Sequence, residues 1–346
     1  MGVGKTAPMA LPTEHRQVLI ASLPDGRLRT EDFEVRSAPL PVPGDGKVLC
    51  RTVAITIGAG QRAGLQGSAS YAGAPEAGRV MGGTGVAQVV SASGGRLRVG
   101  DLVWGQTGWQ EYSVQQPEAL TVLDPSVLAS DHLGVLGLNG VTAYFGVTEV
   151  GRVQAGETFV VSAAAGSVGH VAGQVAKALG ARVVGIAGSD EKAAMLVDLL
   201  GFDVGLNRKS ENFRTAFRAA TPERIDVYFD NTGGDLLESA LFRMNQRGRV
   251  VCCGVVSQYD TSTPGPGPRG VPGLLVNNRV RMEGFLVFDF EPRYDEARRQ
   301  LSAWMSAGSL RALTTGYSGL ESAPQAFVDL LAGTTSGTPI VQVWEA

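Results

Sequence analysis

The sequence has little of what most often builds metal and disulfide sites. Its 346 residues include 3 cysteines and 3 histidines. Cys50, Cys252 and Cys253 are too few for a disulfide framework, and the adjacent pair in VVCCGVV sits in an apolar run where buried strand thiols are expected. His15, His132 and His170 lie far apart, none at ligand spacing from a cysteine, so no zinc site or other metal is expected. No apolar run approaches the about 20 residues of a membrane helix. The start, MGVGKTAPMALPTEHRQ, has no apolar stretch of the kind a secretory signal carries, which makes residues 1–15 a loose tail and the expected location cytoplasmic. MGVGKT superficially suggests a phosphate loop or a myristoylation start, but the Walker spacing is missing and no strand precedes it. There is no Lys/Arg run, and a net charge of −3 supplies no basic field for nucleic acid. What remains is a globular chain, 44% hydrophobic and 18% charged, long enough for two cores.

From about residue 16 to 116 the sequence is a series of short alternating runs broken by Gly and Pro. RQVLIAS, KVLCRTVAITI, GTGVAQVVSA, DLVWGQ and WQEYSV predict an irregular, mostly antiparallel β domain. HLGVLGLNGVTAYFGVTEV then reads as helical and core-facing. From Thr158 strands and helices alternate: TFVVSA, VGHVAGQVAKALG, RVVGIAG, DEKAAMLVDLLG, DVGLN, ENFRTAFRAA, IDVYFDN, DLLESALFRMN, GRVVCCG. These strands are continuous apolar runs, as when helices cover both faces, so the expected class is α/β with a doubly wound parallel sheet. TSTPGPGPRGVPG reads as a loop, RVRMEGFLVF as an edge strand, PRYDEARRQLSAWMSAG as a helix, and TPIVQVWEA as a strand that returns to the first domain.

Within this alternation the stretch SAAAGSVGHVAG is unusual. It follows a strand, opens a helix and begins the first strand–helix unit. Here a small-residue turn lets backbone N–H groups approach a pyrophosphate at a helix N-terminus. The turn Ala165, Gly166, Ser167, Val168 and Gly169 is therefore the expected dinucleotide cradle. Gly166 allows the ligand close, and Gly169 and Gly173 let helix and strand touch; simple tight packing is the alternative. At the end of the second strand, where an NAD site usually has an acid, this chain has Gly188 and Ser189. Lys192 follows one helical turn later, and Arg208 follows the third strand. Two cations without an acid favour the 2′-phosphate of NADPH over NADH, unless both are only solvated surface residues.

SAAAGSVGHVAGQVAKALGARVVGIAGSDEK, DVYFDNTGG and VVCCGVVSQYD together closely resemble the zinc-independent medium-chain dehydrogenase/reductases of the prostaglandin reductase and curcumin reductase branch. LNGVTAYFG, GWQEYSV, GFLVFDF and GLESAPQAF fit the same pattern, and the likeness runs from about residue 16 to the C-terminus. The resemblance implies a GroES-like substrate domain at 16–137 and 317–346, a Rossmann NADP(H) domain at 138–316, and a homodimer joined through the Rossmann domains. It implies reduction of the C=C bond of an α,β-unsaturated carbonyl compound with NADPH. Lys192 matches the lysine at the 2′-phosphate. Asn139 and Thr142 match positions near the nicotinamide, and Asn231 matches an asparagine at the ribose, with Cys253 and Gly254 at the next strand end. Ser257 and Tyr259 match a segment lining nicotinamide and substrate, and Phe285 and Val287 match a strand whose backbone holds the carboxamide.

The sequence also departs from the branch. A DPYMRG-like run is replaced by ITIGAGQRAGL, which keeps Arg62 but has Gly58, Ala59 and Gly60 before it. Arg208 replaces a tyrosine of an NYK-like run, and Thr335 and Thr338 replace an Asn and a Lys of a GxNxGK-like run. Arg62, Tyr259 and Tyr71, the last in a Gly/Ala-rich loop, are the candidate substrate residues, although Tyr71 in a mobile surface loop is the plainer reading. Tyr259 is the candidate catalytic donor to the developing enolate oxygen, with a pocket-shaping role as the alternative. Trp109 reads as an interdomain or pocket wall. The smaller groups at 58–60 suit a bulky biosynthetic intermediate, which leaves open carbonyl or iminium reduction, or redox-neutral cyclisation. A nucleotide-sensing protein without turnover is the alternative from a different class.

Overall fold

In the computed structural model, residues 11–68, 74–263 and 265–344 are described. The first part of the chain supplies β1 (Glu14–Ile20), β2 (Phe33–Pro39), β3 (Val48–Thr56), helix α1 (Gly60–Leu65), β4 (Gly85–Ala92), β5 (Leu102–Gly105), β6 (Tyr112–Gln115) and β7 (Thr121–Val122). Helices α2 (Ala129–Leu133) and α3 (Leu138–Phe145) lead into β8 (Thr158–Val161), α4 (Gly169–Ala178), β9 (Arg182–Ala187), α5 (Asp190–Asp198) and β10 (Val204–Asn207). Then come α6 (Phe213–Ala220), β11 (Ile225–Asp230), α7 (Gly234–Leu241), β12 (Met244–Cys252), α8 (Val271–Asn278) and β13 (Arg281–Gly284). Helix α9 (Tyr294–Ser306), β14 (Thr314–Ser318), α10 (Ala323–Ala332) and β15 (Thr338–Gln342) end the chain.

Six strands form a parallel sheet in the order β10-β9-β8-β11-β12-β13. The chain starts at the centre, at β8, winds outward through β9 and β10, then crosses back to β11. The carboxyl ends of β8 and β11 therefore diverge, which opens a crevice at the point where strand order reverses. Both faces are covered, as the apolar runs predict. Phe159 and Val161 pack with Val171 and Val175 of α4 on one side, and Val160 packs with Phe217 of α6 and Leu237 of α7 on the other.

The second sheet is mostly antiparallel, in the order β14-β15-β3-β4-β5-β7, with β6 also on β3. β15 pairs with β3 through Ile340, Val341 and Gln342, so the final strand does return to the first sheet. Its core includes Trp109, which is fully buried and lies 5.3 Å from Phe33 and 5.9 Å from Phe327 between ring centroids. Trp109 is thus a core residue of this sheet and not an interdomain or pocket wall. It is fixed there because the 109–111 backbone pairs with β1: Val18 N–H donates to Trp109 O at 2.9 Å.

Two other expectations change. The Pro/Gly-rich stretch does not stay irregular, because α8 forms within and beyond it. Gly270 adopts φ +65° ahead of the helix, Pro272 sits in its first turn, and Leu274 and Leu275 pack against the sheet core. RVRMEGFLVF is a strand only to Gly284. Its sole partner, β12, ends at Cys252 opposite Gly284, and the chain then turns into a 3-10 segment, Val287–Arg293.

The packing of α4 on the sheet depends on small residues. A Cβ at Gly173 would lie 2.0 Å from the Phe202 ring, and Phe202 is itself buried. Gly173→Ala is expected to destabilise the protein by about 1–3 kcal/mol through overpacking, read as a lower thermal midpoint. An unchanged midpoint would show that Phe202 can move aside.

Candidate functional site

The glycine-rich turn lies at the carboxyl end of β8, on the crevice. Ala163 takes the left-handed conformation at φ +47°, and Gly166 N–H closes the turn on Ala163 O at 2.9 Å. A Cβ at Gly169 would lie 2.3 Å from Ala163 O, so helix α4 begins in contact with the turn. At Gly166 a Cβ would meet only Ala163 O, at 3.2 Å, and its other side is open. Ala164 and Ala165 are buried beneath, while Gly166, Ser167 and Val168 form a partly exposed rim. Gly166 N–H is used within the turn, and the first N–H groups of a helix lack intrahelical partners, so Val168 and Gly169 supply the backbone donors at the crevice.

His170 holds the turn from behind. It is fully buried, and Leu313 N–H donates to its Nε2 at 3.2 Å, so the ring proton sits on Nδ1 and donates to Gly166 O at 2.8 Å. Burial lowers its pKa to about 4 despite those bonds. One turn later Gln174 donates to Arg311 O and accepts from Arg311 N–H. The loop at 333–337 crosses the same turn: Gly337 N–H donates to Ala165 O at 2.7 Å, and Ser167 Oγ donates to Gly337 O at 3.1 Å.

Beyond β9, Gly188 has nothing within 4 Å of its missing side chain, and Ser189 caps α5 by accepting from Lys192 N–H. The Lys192 ammonium donates to Gly333 O at 2.7 Å and to Thr335 O. Its pKa is lowered, first by burial and then by the charge of Lys209. Arg208 is exposed at the end of β10, its N–H on Ala187 O at 2.9 Å. The structure thus brings Gly188, Ser189, Lys192 and Arg208 to one corner and adds Lys209, which sequence reasoning passed over although it stands in the same NRK run. Thr335 contributes its carbonyl, while the Thr338 hydroxyl is buried in β15.

At the end of β11, Asp230 Oδ1 accepts from Gly233 N–H at 2.9 Å, Thr232 N–H at 3.0 Å and Ser162 Oγ at 3.1 Å. Burial nevertheless raises its pKa, so the carboxyl is a structural hub more than an exposed charge. Asn231 is clipped to Ser162 by two bonds, N–H to Oγ at 2.9 Å and Nδ2 to O at 2.8 Å. The segment after β12 is stitched to it: Cys253 and Gly254 N–H groups donate to Asp230 O, Val256 N–H to Asn231 O and Ser257 N–H to Thr232 O. Burial pushes the Cys252 and Cys253 thiols up to about 11 and about 12. Both are protonated at neutral pH, which makes them poor nucleophiles and poor metal ligands.

A cavity of 640 Å³ opens in the first domain, walled on its other side by the start of α3 and by Phe288. Gly58 and Gly60 line it, as do Gln61, Gly82, Gly83, Trp104, Leu138, Asn139 and Phe288. Asn139 lines this cavity from the start of α3. Thr142 is one turn further along α3, its hydroxyl donating to Leu138 O at 2.6 Å. Phe285 packs by Gly146 and Phe290, and Val287 packs beside Val141 and Phe145, so both flank α3 from the end of the sheet. Trp104, Gln106 and Phe288 were missed because nothing local in DLVWGQ or LVFDF marks a cavity wall. Arg62 does not line the cavity: it is fully buried, with Nε 3.4 Å from Asp260 Oδ1 and Nη2 donating to Gly26 O at 2.5 Å. Tyr259 is half-buried next to Asp260 and also does not line it. Tyr71 lies outside the described residues.

A Rossmann-type crevice facing a second, largely antiparallel domain defines a nucleotide-dependent oxidoreductase architecture. Residues 16–123 match the family described as the N-terminal domain of oxidoreductase, and residues 167–305 match the family described as zinc-binding dehydrogenase. The chain is 36% identical to the NADPH-dependent curcumin reductase of Escherichia coli (strain K12), over 95% of this chain and 97% of that one. It is 37% identical to the 2-alkenal reductase (NADP(+)-dependent) of Nicotiana tabacum, over 97% and 99%. The crystal structure of CurA in complex with NADPH from Vibrio vulnificus superposes with a TM-score of 0.92 at 34% identity, covering 96% of this chain and all of that one. The chain belongs to the medium-chain dehydrogenase/reductase family, in the branch of the curcumin, alkenal and prostaglandin reductases. Among the described residues no group of three or more His, Cys, Asp or Glu side chains is placed to hold a metal.

The neutral, buried His170 gives the turn a pH dependence with a definite sign. Unfolded, the ring takes up a proton below its ordinary value of 6.5, while the folded form resists protonation down to about 4. Its stabilising contribution is complete above pH 6.5 and is lost as the pH falls from 6.5 to about 4. The expected loss is about 3 kcal/mol across that window, and in His170→Gln the slope of unfolding free energy against pH there should flatten. An unchanged slope would assign acid sensitivity to other groups.

Proposed function

We propose that this protein is an NADPH-dependent reductase of the C=C bond of α,β-unsaturated carbonyl compounds. The observation that carries the cofactor choice is the corner at Gly188, Ser189 and Lys192: it is open, has no acid where a ribose diol would be read, and holds a half-buried ammonium beside Lys209. A dianionic 2′-phosphate would relieve that like-charge pairing. The residues fit the rest of the dinucleotide as well. Ala165, Gly166, Ser167, Val168 and Gly169 would take the diphosphate, with Arg208 beside the 2′-phosphate. Asn231, Cys253 and Gly254 would flank the ribose. Asn139, Thr142, Ser257, Tyr259, Phe285 and Val287 would surround the nicotinamide.

NADPH, when bound, supplies the hydride. The protein's part is to hold the acceptor carbon in line and to meet the negative charge that develops on the carbonyl oxygen. Tyr259 is the proposed donor to that oxygen. The polar groups lining the cavity are mainly amides and hydroxyls, Thr56, Gln61, Thr84, Gln106 and Asn139, and its charged residues, Glu76 and Arg79, pair with each other at 3.0 Å. That lining suits a neutral carbonyl compound, and the glycines at 58, 60, 64, 82 and 83 leave width for a bulky one.

The protein is further proposed to act as a cytoplasmic homodimer joined through its nucleotide domains. β13 is the outermost strand of the parallel sheet, and Val276 on the adjacent α8 is 72% exposed. No helix among the described residues is long and apolar enough to cross a membrane.

The test is an enone-dependent fall in NADPH absorbance with a product heavier by two hydrogens. An unchanged product mass would point to redox-neutral rearrangement, and NADPH binding without oxidation across enones, quinones and imines would point to a nucleotide sensor. Lys192→Ala is expected to raise the KM for NADPH about 10- to 100-fold, the value of one charge-assisted bond, and to leave that for NADH nearly unchanged. Equal effects on both cofactors would remove Lys192 from discrimination. Tyr259→Phe should lower kcat by about 10- to 100-fold at a similar NADPH affinity; an unchanged kcat removes the hydroxyl from the chemistry.

A further inference from the structure

The strongest feature outside the cofactor cleft is the fully buried guanidinium of Arg62. It belongs to α1 of the first domain, yet its carboxylate partner is Asp260, which follows β12 of the nucleotide domain. Its third nitrogen, Nη1, is buried with no hydrogen-bond partner. Asp260 in turn accepts from Leu28 N–H, also of the first domain, and adopts the left-handed conformation at φ +59°, which is rare outside glycine. Next to it Gln66 Nε2 donates to Thr261 O at 3.5 Å. Among the described residues Asp260 is the only carboxylate paired with this guanidinium. A buried charge with one counter-ion depends on it.

The other end of the same segment is anchored differently. Val256 and Ser257 N–H groups donate to Asn231 O and Thr232 O, at the end of β11. Only Gln258 and Tyr259 separate that anchor on the nucleotide domain from the Asp260 anchor on the first domain. Helix α1, which carries Arg62, also presents Gly60, Gln61, Gly64 and Leu65 to the cavity. One ion pair therefore sets the position of Tyr259 and of a cavity wall together.

We infer that Arg62 and Asp260 form an interdomain latch that positions the segment carrying Tyr259 against the cavity wall, so that Arg62 acts as a positioning residue and not as a substrate ligand. The inference rests on the reading that the nicotinamide binds at the carboxyl ends of β11 and β12. The adenosine end, held at Lys192 and the glycine turn, is remote from the latch in the chain and shares none of its bonds. Breaking the latch should leave NADPH affinity largely intact and impair the reaction itself.

The experiment compares wild type, Arg62→Met, Asp260→Ala, the double variant and Asp260→Asn, which keeps an acceptor oxygen for Leu28 N–H and Arg62. NADPH affinity is read by fluorescence titration and turnover by enone-dependent NADPH oxidation, per NADPH-binding site. Each single variant is expected to lose at least about tenfold in kcat while the NADPH Kd moves by less than about threefold. The double variant should be no worse than the worse single one, since both remove the same interaction. Asp260→Asn keeps the acceptor oxygen but removes the counter-charge, so its kcat should fall about three- to tenfold, between wild type and Asp260→Ala, and it carries the test should Asp260→Ala not fold. Single variants within about twofold of the wild-type kcat, losses that multiply in the double variant, or Kd rising in step with falling kcat would each overturn the latch. A wild type that binds NADPH but shows no enone-dependent oxidation of it overturns the functional reading instead, and the latch's role in turnover with it.

Discussion

The contact between helix α4 and the turn before it is the constraint on which the cleft depends. Gly169 places the helix start where a Cβ would lie 2.3 Å from Ala163 O, and Gly173 lets the Phe202 ring lie against the helix. Ala163 accepts a left-handed conformation to make the turn tight enough. The result is a helix whose first backbone donors face the gap between β8 and β11. A larger residue at either glycine would lift the helix from the sheet and turn those donors away from the crevice. Packing and binding are not alternatives here: the glycines that serve packing, Gly169 and Gly173, are what leave Gly166 facing open space.

The second domain reinforces this arrangement from outside. The loop at 333–337 bonds to Ala165 and Ser167 at the glycine turn and gives two carbonyls to Lys192. An ammonium has three donors, so with two on those carbonyls it retains one for a phosphate oxygen. In its proposed role Lys192 would therefore need little rearrangement to read a 2′-phosphate, since its long side chain is already held by the fold. This also accounts for the departure at Thr335. The loop's contacts to the cofactor corner come from backbone groups at 333, 335 and 337, which do not require a particular side chain at Thr335.

The nucleotide domain was legible in the sequence because its signals are local. Continuous apolar runs mark strands buried on both faces, and the small-residue turn after TFVVSA marks the crevice. The strand order follows from right-handed crossovers once the alternation is recognised. Helix α8 was not legible, since the density of Pro and Gly in TSTPGPGPRGVPG outweighs the short apolar run LLV, whose helical state is decided by packing on the sheet. Trp109 and Arg62 were misplaced for a related reason. Each is a residue type common in binding sites, and only the three-dimensional neighbours, Phe33 and Phe327 for one and Asp260 for the other, show that it faces inward. The cavity drew its walls from segments as distant as 56–65, 74–84, 104–106 and 288, a convergence that no window of sequence contains.

The distribution of charge sets the electrostatic character of the site. Its buried ionisable groups are held in their neutral or paired forms: His170 is neutral, the Cys252 and Cys253 thiols are protonated, and Arg62 is matched by Asp260. Positive charges gather instead at Lys192, Lys209 and Arg208, the corner proposed for the 2′-phosphate. Around the cavity the unpaired polar groups are dipoles. Where a bound cofactor and substrate displace water from such a lining, a single well-placed hydroxyl would stabilise a developing oxyanion far more than it would in water. For the proposed Tyr259 donor, placement would then be the limiting quantity, and its segment is bonded at both ends, once to each domain, before any substrate arrives.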